Sequence, residues 1–216
     1  MVPTAQPASG FPDVTRLQLV HLADVAATPW KNGGGLTRDL LLWPPGAADA
    51  WQLRISVAEV AKSGPFSAYP FVARWFCVLQ GAGVVLRFNE GQQRQVTLTP
   101  ESPPLHFDGA LAPRCELVAG PTLDLNLMAR QNAGRAEMGR AVAGVPWVSC
   151  APLRALFTLH GATLRVAGRA DAVLSAGTLA FTDQATNQAA DPSPQSWQLG
   201  APDDSGWWLA FKPHAR

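Results

Sequence analysis

The chain has 216 residues, 47% of them hydrophobic, and a formal net charge of +1. That content supplies a sizeable core and excludes a disordered chain, while the length suits one large or two small domains. Scattered basic residues leave no patch for nucleic acid or an anionic membrane, and no uncharged apolar run approaches the roughly 20 residues of a membrane span.

Met1 to Gly10 has no basic n-region and no apolar h-region, so it reads as a frayed tail and not a signal peptide. Val14 to Leu22 alternates weakly and reads as a first strand. Trp30-Lys31-Asn32-Gly33-Gly34-Gly35-Leu36-Thr37-Arg38-Asp39 follows. Three consecutive glycines are costly to order, so the run suits a bend with φ > 0 or a close approach of ligand to main chain. The indole, carboxamide, hydroxyl, guanidinium and carboxylate around it suit recognition of a small polar molecule. The competing reading is a Gly-rich hairpin with solvated flanks. No phosphate-loop spacing fits these residues, and no helix pattern follows them.

Leu40 to Trp43 reads as a strand stopped by Pro44-Pro45-Gly46. Trp51 to Ala58 has the clearest period of two, with Trp51, Leu53, Ile55 and Val57 on one face and Gln52, Arg54, Ser56 and Ala58 on the other. Lys62 to Ser67 is a turn. Arg74 to Leu79 is an apolar strand that breaks at Gly81-Ala82-Gly83 and returns as Val84 to Phe88, which reads as a hairpin. Val96 to Leu98 and Leu105 to Gly109 lie on either side of the rigid Pro103-Pro104. Leu123 to Met128 alternates again. Ala129 to Ala143 is the one helix candidate, interrupted by Gly134 and Gly139. Gln184 to Gln198 reads as an exposed loop, and Trp207 to Phe211 as a final buried strand.

Nineteen Pro and nineteen Gly, spread through the chain, leave few windows for helices. Short apolar runs between them argue for an all-β sandwich or barrel. Phe76 to Leu86 resembles Leu156 to Val166, each leading through a Gly-Ala turn into another apolar strand. Leu105 to Asp108 and Leu179 to Asp183 follow in the same order. The two matches predict duplication of a β-barrel unit, a first barrel over 1–140 and a smaller second one over 141–216. Cys77, Cys115 and Cys150 are odd in number and far apart, so they read as reduced, mostly buried thiols in a cytoplasmic setting.

The Gly-rich stretch, with Trp51-x-x-Arg54-Ile55-Ser56-Val57-Ala58-Glu59-Val60 and Ser63-Gly64-Pro65-Phe66-Ser67-x-Tyr69-Pro70, resembles the HutD/Ves family. Arg74, Leu79-x-Gly81-x-Gly83 and Asp124-Leu125-Asn126-x-Met128-x-Arg130 add to a likeness carried by residues 28–130. The family has Glu more often where Asp39 stands, and commonly Gly after the proline corresponding to Pro70, where this chain has Phe71. The resemblance implies double-stranded β-helix (cupin) barrels, two in one chain, a bicupin. It also implies a link to histidine utilisation in bacteria, without an established enzymatic activity. Binding of a small metabolite such as N-formylglutamate would tune that pathway.

Cupin enzymes usually hold a divalent metal through an H-x-H pair, a nearby Glu and a distant His. His21, His106, His160 and His214 offer no such spacing, so neither a metal nor another cofactor is expected. His106 reads as a hydrogen-bonded structural histidine and His160 as exposed. No G-x-S-x-G elbow is present.

The candidate ligand-binding set is Asn32, Gly33, Gly34, Thr37, Arg38, Arg54, Ser56, Arg74, Asp124 and Asn126. Arg54 or Arg74 could grip a carboxylate through two parallel N–H···O bonds, which Lys cannot reproduce. Asn32, Thr37, Ser56 and Asn126 offer donors and acceptors to amide or formyl groups. Trp51 and Phe66 read as core, and Arg38 and Asp39 as partners that brace the loop. A buried Arg74 calls for an acid such as Glu59 or Asp124.

The leading reading is a non-catalytic sensor of a small carboxylated metabolite, with a homodimer as a further expectation. A metal-independent enzyme would draw its base from Glu59, Asp124 or His106. A protein–protein interaction module is the third reading.

Overall fold

Alternation of apolar and polar residues, cut at short intervals by Gly and Pro, builds strands wherever it runs. The structure is a computed structural model that describes residues 16–47, 50–88, 94–184 and 194–214. The first half of the chain forms β1 (Gln18–His21), β2 (Thr28–Pro29), β3 (Gly35–Trp43), β4 (Leu53–Val60), β5 (Gly64–Pro65), β6 (Val72–Gln80), β7 (Val84–Phe88), β8 (Arg94–Leu98), β9 (Leu105–Asp108), β10 (Arg114–Leu117) and β11 (Thr122–Arg130). The second half forms β12 (Gly134–Val142), β13 (Trp147–Ser149), β14 (Leu153–Thr158), β15 (Ala162–Val166), β16 (Ala172–Leu174), β17 (Thr178–Asp183), β18 (Gln195–Leu199) and β19 (Ser205–Pro213).

These strands make four antiparallel sheets, in the orders β2-β3-β4-β11-β6-β9, β5-β10-β7-β8, β1-β17-β14-β19-β12 and β13-β18-β15-β16. The six- and five-stranded sheets pack on each other through Leu53, Ile55 and Val57 on one side and Leu153, Phe157 and Leu209 on the other. The opposite face of the six-stranded sheet packs on the β5-β10-β7-β8 sheet through Phe76, Val78, Leu86 and Phe88. The opposite face of the five-stranded sheet meets β13-β18-β15-β16 through Leu156, Leu164, Trp197 and Trp208. Both large sheets are therefore covered on both faces. β1 pairs with β17, which ties the first described strand to the second half, and β12 pairs with β19 in the same sheet.

Several expectations change. Val14 lies outside the described residues, and the first strand is Gln18–His21. Gly81 to Gly83 is not a hairpin turn, because β6 and β7 belong to different sheets. It is a corner between sheets, and only glycine fits: a Cβ on Gly83 would stand 2.4 Å from the Leu98 carbonyl oxygen. The helix candidate Ala129 to Ala143 is instead the end of β11, a turn and β12, whose nine residues pair with β19. Two glycines weaken the local helix preference, and long-range pairing prevails. Within Gln184 to Gln198, Gln195 onward is strand and Trp197 is fully buried. Trp51 precedes β4 and packs on Val72 and Met128, away from the Leu53 face.

Candidate functional site

Period two decides which side chains enter the space between the six-stranded sheet and its small partner. On β4, Arg54 and Ser56 point away from the Leu53–Ile55–Val57 face, and Asn126 on β11 points away from Leu125 and Leu127. Register sets Asn126 between Ser56 on β4 and Phe76 on β6, while Arg74 lies opposite Met128. Polar groups from three adjacent strands thus share one interior face. Trp30, Phe66 and Tyr69 stand beside them and complete a half-open cavity of about 500 Å³, a size that suits a small metabolite.

Arg74 is its deepest charge, with 6% of its surface exposed. Its Nη2 donates to Asn126 Oδ1 at 3.1 Å, while Nε and Nη1 are buried without partners among the described residues. The guanidinium carbon lies 5.3, 5.6 and 5.1 Å from the ring centres of Phe66, Tyr69 and Phe107. Burial lowers its pKa to about 10, with Tyr69 opposing the shift and Arg54 adding to it, so the group stays cationic near neutrality. No acid pairs with Arg74 among the described residues, contrary to the expectation that Glu59 or Asp124 would do so. Ring faces and one carboxamide attend the charge instead.

Arg54 Nε donates to Asp39 Oδ1 at 2.7 Å, and both residues line the cavity. Asp39 therefore braces Arg54 and not Arg38, because Arg38 alternates onto the opposite face of β3. Thr37 Oγ1 accepts from Trp30 Nε1 at 2.7 Å, which fixes the indole against the wall. Asn32 Oδ1 accepts from the Gly34 amide at 3.0 Å. Asn32 and Gly34, with Lys62 and Phe66, also border an adjoining cavity of about 210 Å³. Gly33, at φ 65°, bends the chain and lines neither cavity. At Gly35 the close approach comes from the chain itself, since a Cβ there would meet the Glu59 carbonyl oxygen at 2.2 Å.

Of the ten candidates, Asn32, Thr37, Arg54, Ser56, Arg74 and Asn126 meet at the larger cavity, while Gly33, Gly34, Arg38 and Asp124 do not line it. Asp124 is buried on the face of Asn126, two residues earlier in β11. Its Oδ2 accepts from Thr122 Oγ1 at 2.8 Å and its Oδ1 has no partner among the described residues. Burial raises its pKa to about 7, against the opposing effect of the Thr122 hydrogen bond. Glu59 shares the face of Val57 and stays outside the cavity. His106 is exposed and stacks on Trp75, with 4.2 Å between ring centres, in place of the expected structural hydrogen bond. Phe66 packs on the core as expected, 5.5 Å from Phe76, and also stands in the cavity wall, 6.3 Å edge-to-face from Trp30. Tyr69, Trp30 and Phe107 are further contributors that alternation did not single out; the aromatic density of the Phe66–Tyr69 turn was the available signal.

Layered antiparallel sheets in this order, one of them closing over a metabolite-sized cavity, define a cupin-like all-β protein. The HutD family model matches residues 22–198, and the chain belongs to the HutD family. It is 33% identical over 125 residues to an uncharacterized 21.2 kDa protein in the hutC 3′ region of Pseudomonas putida, covering 58% of this chain and 64% of that one. It is also 33% identical over 110 residues to protein Ves of Citrobacter koseri, covering 50% of this chain and 56% of the relative. The matched segment thus spans about three-fifths of these relatives' own length. The structure of HutD from Pseudomonas fluorescens SBW25 superposes with a TM-score of 0.76 at 24% identity, covering 93% of this chain and 100% of that one.

Proposed function

We propose that this protein is a non-catalytic binder of a small carboxylated metabolite that senses an intermediate of histidine catabolism, such as N-formylglutamate, and so modulates histidine utilisation. One observation carries the reading: two guanidinium groups, the buried one of Arg74 and that of Arg54, line one cavity of about 500 Å³. A carboxylate entering that cavity would meet the positive charges of Arg74 and Arg54, which no neutral group answers as well. Asn126, Ser56 and Asn32 add amide- and formyl-binding groups, and the aromatic wall shields the contact from water. Membership of the HutD family, together with a relative in the hutC 3′ region, supports the link to histidine.

In this reading the two pairs of facing sheets are two cupin barrels, with the division near residue 140 crossed by β1 and β12. The protein works in the cytoplasm as a homodimer, a setting in keeping with free thiols at Cys77, Cys115 and Cys150. Thermal melts and calorimetry with N-formylglutamate, formiminoglutamate, urocanate and histidine test the reading. A true ligand at a hundred times its Kd adds about 2.7 kcal/mol of stability. A flat response to all four compounds overturns the assignment to histidine catabolism, and NMR showing turnover of a bound compound overturns the non-catalytic part.

A further inference from the structure

The duplication seen in the sequence has an offset of 80 residues between Phe76 and Leu156, and the same offset carries Arg74 onto Arg154. Strand pairing agrees. Arg74 lies between Met128 on β11 and Phe107 on β9, and Arg154 between Ala210 on β19 and Thr182 on β17. By the same correspondence Asn126, flanked by Phe76 and Ser56, becomes Trp208, flanked by Leu156 and Gly139. The two halves therefore place one arginine each at the same point, with different surroundings.

In the first half Asn126 and Ser56 are small and leave the cavity. In the second half Trp208 projects into the corresponding space. Trp208 lies on Trp147 with ring planes 2° apart and centres separated by 5.2 Å, and Trp197 meets it edge-on at 6.2 Å. Arg154 is fully buried there. Its Nη1 donates to Gln184 Oε1 at 3.3 Å and to Gln195 Oε1 at 3.0 Å, and its Nε donates to the Ser149 carbonyl at 3.0 Å. Oxygen acceptors on the chain itself meet the guanidinium where Arg74 has unpaired N–H groups.

We infer that Arg154 marks a second, internally capped carboxylate site, in which the side-chain oxygens of Gln184 and Gln195 both accept from Nη1 and so take up N–H bonds that a small carboxylate would need. One chain accordingly takes one anion and not two, and truncating Gln184 and Gln195 opens the Nη1 side of Arg154 to a second. The inference concerns Arg154 alone and is independent of which metabolite Arg74 takes.

The test uses the full chain, acetate as probe and the arginine Nε–Hε signals in NMR. In Arg74→Met, excess acetate leaves the Arg154 signal in place. In Arg74→Met with Gln184→Ala and Gln195→Ala, acetate shifts it in a saturable way. A cooperatively melting triple variant whose Arg154 signal ignores acetate overturns the inference, whereas a wild-type Arg74 signal that ignores acetate bears only on the Arg74 reading. Should the triple variant not fold, Gln195→Glu decides. A carboxylate built into a carboxylate site has its pKa depressed by Arg154, so its contribution is present above about pH 4.3 and is lost as pH falls. The expected result is a melting temperature about 2–4 °C above wild type near neutral pH, vanishing in acid. A melting temperature below wild type near neutral pH overturns the inference.

Discussion

Arg74 Nη2 donates to Asn126 Oδ1 at 3.1 Å, one bond from a group that carries five N–H donors. Burying donors without partners costs about 1–3 kcal/mol per group, and Nε and Nη1 both stand in that state. Three ring faces offset part of this. The cost makes sense where a bound anion removes it. Arg74→Met keeps the length and discards the charge. The expected outcome is loss of N-formylglutamate binding by calorimetry with a melting temperature no lower than wild type. Arg74→Lys keeps the charge without the fork and should bind at least about tenfold more weakly. Unimpaired binding by Arg74→Met would remove the guanidinium from the proposed contact.

Asp39 neutralises Arg54 at the cavity edge, with 36% and 18% of their side chains exposed. A pair this open is worth about 0.2–1 kcal/mol at most, so Asp39→Asn should melt close to wild type. It leaves the Arg54 charge unopposed beside the cavity, and affinity for a carboxylate should rise several-fold. Salt screens exposed charges, so the gain should shrink between low and high ionic strength. Calorimetry at two salt concentrations measures both effects. An unchanged Kd at low salt would exclude Arg54 from the anion's surroundings.

Asp124 gives a pH dependence whose sign follows from burial. Its folded pKa, about 7, lies above the ordinary value. The folded state therefore holds the proton more tightly than the unfolded chain, so the stabilisation is complete below about pH 3.9 and is lost as pH rises through the folded pKa. Asp124→Asn keeps the shape without the charge. Its melting temperature relative to wild type should climb from about pH 4 to about pH 7 and then level off. A difference that is flat across that range would mean Asp124 titrates normally in the fold.

Half of the site is legible in the alternation of two strands. Trp51 to Ala58 and Leu123 to Met128 are enough to set Arg54 with Ser56 and Asp124 with Asn126. Alternation does not say whether the polar face is wet, because antiparallel sheets commonly expose one side; here both sides of the six-stranded sheet are covered. Nor does it encode depth, which is why Asp124 and Asn126 read alike and only Asn126 reaches the cavity. Phe66 packs on the core and lines the cavity at once, since a core ring and a cavity-wall ring share one chemistry. Gly81 and Gly83 read as a hairpin because a hairpin turn and a corner between sheets both need a backbone without Cβ. Ala129 to Ala143 shows local propensity losing to β19, a partner more than sixty residues away.

The glycine triplet divides into three different requirements, and substitution separates them. A Cβ on Gly35 would stand 2.2 Å from the Glu59 carbonyl oxygen, so Gly35→Ala must push β3 from β4 and should cost the most. Gly34→Ala meets Asn32 Oδ1 at 3.1 Å, a side chain that can give way, and should cost less. Gly33 has φ 65° with nothing within 4 Å, so Gly33→Asn should melt within a few degrees of wild type. Melting temperatures of the three variants check this order. Equal losses at all three positions would mean the triplet acts as one unit.

Phe71 sits at φ 62° with 76% of its surface exposed. Left-handed backbone costs an L-residue about 1–2 kcal/mol, and an exposed ring recovers little of that by burial. Its carbonyl accepts from the Gln131 amide at 2.9 Å, so the turn itself is held by backbone that glycine would supply equally well. Phe71→Gly relieves the strain but loosens the unfolded chain by about 0.4–1 kcal/mol. The net expectation is a rise of about 2–4 °C in melting temperature. Phe71→Ala keeps the strain and should show no such rise, which separates backbone relief from loss of an exposed ring. If both variants melt below wild type, the ring itself stabilises the fold, and the strain argument fails at this position.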